Sequence, residues 1–339
     1  MARPVQDSER PKVATDTIPD DHEFVCLTLG PYIFGASEDR PAFRLHNASI
    51  YFNSPVALGD HWPERLGSVT LDKIYKTRLA VVASDTHTGD CTPDHAAQIV
   101  AGLETRAYNA LRALLIQGNP FEIQAAGLEI RRVFDAGRFR EEAAFMRPRT
   151  SHPWEAISSI DDNALATAAT VARSLEKIFA RPDEFSRLQR GLDHWDQATM
   201  EHRLDLRLHA LVRAIEALIA PARGRTQGQF VERCKTFVQA ARTDRLLKEI
   251  YELRSQVEHS NDWRLAFRET RPALSNEDAE LLATFRAFQV ELIARRAYLR
   301  ALLYPAFLES LRTDEEIRRF WVSSDRGRIW GDPVNLNLR

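Results

Sequence analysis

Cysteine is scarce in this chain of 339 residues, and its three cysteines, Cys26, Cys91 and Cys234, lie far apart with no CxxC pair. That spacing excludes a disulfide framework and a standard cysteine zinc site, and it fits a reducing, cytoplasmic location. A large charge of either sign is also missing, because the formal net charge is −2. This balance disfavours a protein held on nucleic acid mainly by bulk charge, but it permits a local basic surface.

The sequence also lacks the motifs of several common enzyme classes. It contains no Walker motif, no GxGxxG fingerprint, no HExxH and no GxSxG. Nucleotide hydrolysis, dinucleotide redox chemistry, zincin proteolysis and hydrolase-elbow chemistry therefore lose their usual sequence support. Residues 1–20 alternate charges with prolines and have no apolar segment, so we expect a disordered arm rather than a signal peptide or a membrane anchor. We expect no cofactor and no membrane partner.

The first half of the chain has the pattern of β-strands. Short apolar or alternating runs are bounded by Gly, Pro and Asn, as strands in a sheet usually are. Thr92 followed by Pro93 marks a helix start, and apolar residues continue at helical spacing to Gly118. Residues 21–150 are therefore predicted to form a strand-rich α+β domain that senses a trigger or recognises a partner. The predicted strands are 24–29, 32–34, 48–52, 78–83 and 127–134.

Helical patterns replace the strands after residue 155. Apolar residues recur at intervals of three and four, and Ser275 stands where the N-cap of the last long helix is expected. We predict an all-α bundle over 155–310, a C-terminal tail over 311–339 and an α+β fold class for the whole chain. The apolar stripes cover 165–178, 204–218, 230–238, 246–257 and 282–299.

The most informative stretch lies at the end of one predicted helix, where Arg254, Ser255 and His259 form an Arg-Ser-x-x-x-His run. A permanent cation beside a base that titrates near neutrality suits chemistry at a phosphate. At about 100° of rotation per residue, the Arg254 and His259 side chains lie roughly 140° apart around the helix. They can serve one site only if the helix unwinds or a second subunit contributes, so we expect a homodimer.

The same residues also have a purely structural interpretation. Glu258 lies four residues after Arg254, so the two can form a surface ion pair, with His259 as a helix-end residue near the negative end of the dipole. Glu216 is a charge within an apolar stripe, which predicts a buried partner such as an arginine on a neighbouring helix. Tyr251, one turn before Arg254, either stacks on a base or packs in the bundle.

A basic stretch precedes this motif. Residues 221–250 contain seven basic and three acidic side chains, a local net charge of +4. Arg245 and Lys248 belong to this stretch, which predicts either a surface that binds RNA or the solvated side of two helices.

One loop in the first half carries residue types that bind metals. His87, Asp90 and Cys91 follow a predicted strand, with Thr and Gly between them. The same composition is typical of a turn leading into a helix, which is the simpler interpretation, and we expect no metal.

The order of helices and motifs in the second half resembles the Apea-like branch of the HEPN domains, which are small all-α bundles. The resemblance covers roughly residues 160–305 and rests on the helix 202–218, on Phe230 and Arg233, and on Arg254-Ser255-x-x-x-His259. The hallmark of this family is an Arg-x4–6-His motif, commonly with a small polar residue after the arginine. Many members act as metal-independent ribonucleases in toxins or antiphage defence, and others only bind.

The resemblance implies that Arg254 and His259 are a catalytic pair and that Ser255 is an orienting hydroxyl. Arg254 would stabilise a pentacoordinate phosphate and His259 would move a proton, which leaves a 2′,3′-cyclic phosphate on the RNA. The alternative is a catalytically silent bundle that dimerises or binds RNA, beside an N-terminal domain that recognises a protein or phage-derived trigger. The full set of candidate residues is Arg254, His259, Ser255, Tyr251, Arg245, Lys248, Glu216 and Glu258.

Overall fold

The computed structural model describes residues 18–29, 42–52, 64, 66–67, 79–86, 92–117, 127–135, 137–146, 160–259, 262–267 and 270–336. An antiparallel, strand-rich N-terminal region is followed by a helical C-terminal region, which confirms the predicted α+β class. Four predicted features lie wholly or mostly outside the described residues: the arm at 1–20, the strand at 32–34, the loop with His87, Asp90 and Cys91, and the domain boundary between 150 and 155.

The strand-rich region is one six-stranded sheet with the order β2-β3-β4-β1-β5-β6, in which neighbouring strands are antiparallel. Its central strand β1 alternates between two environments, since Val25 and Leu27 lie in the main core and Phe24 and Cys26 lie in a separate cluster on the other face. The strands are β1 (His22–Leu29), β2 (Phe43–Leu45), β3 (Ala48–Tyr51), β4 (Leu79–Thr86), β5 (Leu128–Asp135) and β6 (Arg138–Phe145).

Helix α1 (Pro93–Leu115) covers one face of this sheet and packs against β1, β4 and β5. It begins where the sequence predicts, because the Thr92 side chain accepts a hydrogen bond from the His95 backbone N–H at 3.4 Å. Helix α1 also packs against the first helix of the second half. One hydrophobic cluster therefore runs from the sheet into the helical region, and it includes Leu111 and Leu165.

The helical region contains the predicted long helices with further short elements. A helix at Ser186–Met200, for which no stripe is predicted, precedes the helix of the predicted stripe at 204–218. The Ser275 side chain caps the longest of the described helices by accepting from the Asp278 backbone N–H at 3.1 Å. The helices are α2 (Asp162–Phe179), α3 (Ser186–Met200), α4 (Leu204–Ile219), α5 (Thr226–Cys234), α6 (Thr243–Glu258), α7 (Asn276–Leu303), α8 (Pro305–Ser310), α9 (Asp314–Val322) and α10 (Arg326–Trp330), with a 3₁₀ turn at Trp263–Phe267.

The segment 311–336, predicted only as a tail, is part of the bundle. Helices α9 and α10 bury Trp321 and Trp330, and the Trp330 ring lies 4.4 Å from that of Phe237, centroid to centroid. The Trp321 indole N–H donates to the Leu218 carbonyl at 3.0 Å, and β7 (Val238–Gln239) pairs with β8 (Val334–Asn335). Both helices are too short for their apolar spacing to be recognised in the sequence. No helix in the described ranges has the length and apolar character needed to cross a membrane.

A buried carboxylate ties helix α6 to its surroundings. Glu249 has no exposed surface, and it accepts hydrogen bonds from Arg245 at 3.0 Å, Arg271 at 2.9 Å and Arg286 at 2.6 and 2.9 Å. Burial alone raises the pKa of the Glu249 carboxyl, but the hydrogen bonds from Arg286, Arg271 and Arg245 more than offset this, so its pKa is lowered. This cluster fixes the orientation of α6 against α7.

Helices α3 and α4 approach each other unusually closely at Gly191. A Cβ atom at this position would overlap the hydroxyl of Tyr298 and lie 2.6 Å from the Cβ of Ala217. The Tyr298 hydroxyl donates to the Ala214 carbonyl at 2.6 Å, so α7 is held against α4 at the same place. Only glycine permits this packing.

We expect Gly191→Ala to lower the free energy of unfolding, because overpacking of this kind costs about 1–3 kcal/mol and exceeds the gain in helix propensity. Gly102→Ala in α1 is the matched control, since a Cβ there meets no atom within 4 Å, and it should stabilise the protein slightly. Urea unfolding followed by circular dichroism measures both. Equal stabilisation by the two substitutions would show that α3 and α4 are not in close contact.

The depressed pKa of Glu249 makes a second prediction about stability. The Glu249 carboxylate contributes to the free energy of unfolding. This contribution is fully present above the unfolded-state pKa, about 4.3, and is lost as the pH falls through the lower folded-state pKa. We expect Glu249→Gln to lower the free energy of unfolding by about 3–5 kcal/mol at pH 7, and this difference from wild type to shrink below about pH 4. Urea unfolding between pH 7 and pH 3 tests this, with exposed Glu315→Gln as the control. A difference that does not change with pH would contradict it.

Candidate functional site

A pocket of about 290 Å³ opens where helices α3, α4 and α6 meet. Four of the side chains around it are arginines, and we refer to it as the arginine pocket. The lining residues that the structure describes are Arg187, Arg190, His194, Arg213, Glu216, Ala217, Pro221, Thr226, Tyr251 and Arg254.

Helical periodicity brings the α3 side chains to this pocket. Arg187, Arg190 and His194 are three and four residues apart, so they lie on one face of α3, while the apolar residues Leu188 and Leu192 of the same helix are buried. The close contact at Gly191 lies within that run and brings this face against α4. The pocket therefore depends on the packing of the two helices.

Helix α4 contributes Arg213 and Glu216, three residues apart, and then ends sharply. Ala220 takes a left-handed conformation with φ of 43°, and the Arg233 guanidinium donates to the carbonyls of Ile219 and Ala220, the latter at 2.9 Å. These bonds satisfy two carbonyl groups that the end of a helix leaves unpaired.

Arg254 lies in the wall of the pocket and is only 7% exposed. Its guanidinium forms an ion pair with Glu258, lies 3.6 Å from the Glu216 carboxylate and sits 5.6 Å from the centre of the Tyr251 ring. Glu216 thus has the buried arginine partner that its apolar surroundings predict. The Nε of Arg254 is buried and has no hydrogen-bond partner within the part of the chain that the structure describes.

The other three arginines differ in how firmly they are held. Arg187 donates to Asp314 at 2.6 and 2.9 Å, and hydrogen bonding to Arg187 keeps the pKa of the Asp314 carboxyl below its usual range. Arg213 donates to Glu216 at 3.1 Å. Arg190 is exposed and donates to the backbone carbonyl of Ser186 at 3.3 Å, with no carboxylate of the described residues within 4.0 Å. Arg190 is therefore the most accessible cation of the pocket.

This arrangement is suited to binding an anion. Among the described lining residues, four permanent cations accompany one carboxylate, Glu216, and guanidinium groups offer several N–H donors each. The described residues contain no group of three or more His, Cys, Asp or Glu side chains placed to hold a metal ion. Phosphate oxygens match these donors in charge and in geometry.

His194 and His259 occupy different places in the structure. His194 lines the arginine pocket, whereas His259 forms the exposed C-cap of α6, where its backbone N–H donates to the Ser255 carbonyl at 3.1 Å. His259 is not among the described residues that line the pocket. In a single chain, therefore, the histidine beside Arg254 in the pocket wall is His194.

A third histidine, His209 of α4, does not line the pocket but lies close enough to Arg254 to be affected by its charge. Its buried Nδ1 has no hydrogen-bond partner among the described residues. Burial lowers the pKa of the His209 imidazole, and the positive charge of Arg254 lowers it further. His209 is thus favoured in its neutral form.

The remaining candidates lie away from the pocket. The Arg245 guanidinium is engaged by Glu249 and by the Thr270 carbonyl at 2.7 Å, so the structure places it in the Glu249 cluster and not at a substrate. Lys248 is exposed and does not line the pocket, and Ser255 is half-buried beside Arg254. The structure thus brings together Arg254, Tyr251 and Glu216 from the predicted set, with Glu258 behind Arg254.

Sequence analysis missed Arg187, Arg190, His194 and Arg213. A signal for the first three exists, since they occupy one face of a helix whose adjacent face is buried and mainly apolar. That pattern also describes any solvated helix face, so it does not by itself identify a pocket.

Comparison of the chain with protein-family models, with curated proteins and with solved structures gives no match.

The influence of Arg254 on His209 can be tested by titration. We expect Arg254→Gln to raise the pKa of His209, because the substitution removes a nearby positive charge. The His209 ring signals in an NMR pH titration report this value. Arg190→Gln is the control and should leave it unchanged, since Arg190 is not among the charges that act on His209. An unchanged pKa in Arg254→Gln would show that the two side chains are not neighbours.

Proposed function

We propose that this protein is a metal-independent RNA endonuclease that holds the scissile phosphate in the arginine pocket. The observation that carries the proposal is that Arg254, singled out by its motif, lines a pocket with three further arginines and a histidine. Cleavage of RNA without a metal uses the neighbouring 2′-hydroxyl as the nucleophile. The protein must then stabilise the charged phosphate and move two protons.

The pocket residues match these tasks. Arg190 and Arg213 lie nearer the solvent and are placed to receive the phosphate, whereas buried Arg254 would stabilise the charge that develops in the transition state. His194 can take a proton from the 2′-hydroxyl or give one to the departing 5′-oxygen. Tyr251 is buried between the Phe230 ring at 5.4 Å and the Arg254 guanidinium at 5.6 Å, so its role in the proposal is to support Arg254 rather than to stack on a base.

A dimer supplies the second proton-transfer group in this proposal. His259 is exposed at the end of α6 and does not line the pocket of its own chain, so its imidazole is available to a neighbouring copy. Two bundles that meet at the ends of their α6 helices would place the His259 of each beside the other's pocket. The proposed setting, which rests on the resemblance to HEPN domains, is growth arrest or antiphage defence, with the strand-rich half sensing a trigger.

The proposal predicts cleavage of labelled RNA in EDTA, with a 2′,3′-cyclic phosphate on the product. Arg254→Gln should lower the rate by about 10²–10³-fold and His194→Ala by about 10²–10⁴-fold. Arg319→Gln removes an exposed arginine outside the pocket and should have no effect. RNA with a 2′-deoxy group at the cleaved position should remain intact. Full activity in both Arg254→Gln and His194→Ala would contradict this assignment of the site.

The same assay tests whether the site is shared between subunits. If His259 acts across a dimer, His259→Ala is inactive alone, and mixing it with inactive Arg254→Gln restores part of the activity because one mixed site is intact. No recovery on mixing, with both variants dimeric, would place all catalytic groups within one chain.

The alternative is a bundle that binds RNA without cleaving it. One observation favours it: the Arg254 guanidinium is already engaged by Glu258 and lies near Glu216, as a structural arginine would be. The salt dependence of binding does not separate the two functions, because loss of one phosphate contact in Arg190→Gln should reduce the slope of log affinity against log salt by about 1 in either case. Salt-dependent RNA binding without cleavage, under any trigger supplied, would support the binding module.

A further inference from the structure

A second cleft, of about 550 Å³, lies between the sheet and the helical bundle. Its walls come from the turn between β2 and β3, from helix α1 and from helix α2, and we refer to it as the junction cleft. Its volume is within the range of pockets that bind small molecules. The arginine pocket and the junction cleft share none of their described lining residues.

Charges at the junction cleft are paired with one another. Arg106 donates to both carboxylate oxygens of Asp85, and Glu176 accepts a hydrogen bond from Asn47 and contacts the His46 imidazole. None of the described lining cations is left over to bind a phosphate or a carboxylate of a ligand. The cleft therefore favours an uncharged ligand, in contrast to the arginine pocket.

Uncharged hydrogen-bonding side chains also line the junction cleft. Asn109 is only 6% exposed, and its Oδ1 accepts from Arg112 at 3.1 Å. No hydrogen bond joins its Nδ2 to a described residue, and this atom is not one of the fully buried unpaired atoms, so it is a donor that a ligand in the cleft can reach. The amide of Gln98 lies at the rim, and Ile99 and Phe179 provide apolar surface.

The turn that closes one side of the cleft is a two-residue hairpin, since Leu45 pairs with Ala48. His46 has a φ of 44°, a left-handed conformation that such turns commonly require. The His46 imidazole contacts the Glu176 carboxylate of α2, which places the turn against the bundle.

We propose that the junction cleft binds an uncharged nucleoside. A nucleobase is planar and apolar on its faces, which suits Ile99 and Phe179, and it carries donors and acceptors on its edge, which suit the amides of Asn109 and Gln98. The ribose adds hydroxyls that match the polar rim. The bound nucleoside would contact both the sheet and the bundle, so it would link the sensing half to the catalytic half. The binding itself does not depend on the proposed RNA cleavage.

The test is isothermal titration calorimetry of the full chain with adenosine, guanosine, cytidine and uridine, each up to about 1 mM, the weak end of specific binding. We expect at least one nucleoside to bind. Gly102→Leu should weaken that binding at least tenfold, because a Cβ at Gly102 meets no atom within 4 Å and the side chain fills the cleft without disturbing the fold. Gly228→Leu on α5 is the matched control, since its Cβ is equally unhindered, and should bind as wild type does.

Asn109→Asp is a second variant, which changes one hydrogen-bonding group without filling the cleft. It keeps the acceptor for Arg112 but removes the Nδ2 donor, so binding should again weaken at least tenfold. The proposal is overturned if none of the four nucleosides binds, or if binding survives either Gly102→Leu or Asn109→Asp. It is also overturned if only nucleoside 5′-monophosphates bind and Arg190→Gln abolishes that binding, because the ligand then belongs to the arginine pocket.

Discussion

The missing side chain at Gly191 allows α3 and α4 to touch, and the geometry of the arginine pocket follows from that contact. Helix α3 carries Arg187, Arg190 and His194 around this glycine, and α4 presents Arg213 and Glu216 opposite them. Tyr298 fixes the same junction from α7 through its hydrogen bond to Ala214. A wider separation would spread the arginines apart and weaken the field that they create together.

The buried carboxylates of the bundle divide its arginines into two groups. Glu249 engages Arg245, Arg271 and Arg286 fully, which orients α6 but leaves those cations with no role at a ligand. In the arginine pocket, Glu216 lies between Arg213 and Arg254, Glu258 pairs with Arg254, and Asp314 pairs with Arg187. Arg190 distinguishes the pocket from the Glu249 cluster, because it is exposed and makes no ion pair with a carboxylate of the described residues.

Sequence patterns predicted the elements whose burial is periodic, such as β1, α2 and α6. They missed β6, an edge strand whose alternating burial is shallow and half of whose residues are charged. They also missed α9 and α10, which are too short to show a period. Arg254 and its partner Glu216 could be identified because a motif and a charge in an apolar stripe are local signals. His194 could not, because whether a polar helix face meets solvent or another helix is decided by packing far along the chain.

The ion pair between Arg187 and Asp314 joins residues 127 positions apart, and α9, which carries Asp314, also seals the aromatic core with Trp321. During synthesis, Arg187 and Arg254 therefore leave the ribosome well before the carboxylate that orients Arg187. The arginine pocket is therefore completed only when α9 has packed beside α3, because until then Arg187 lacks the carboxylate that orients it.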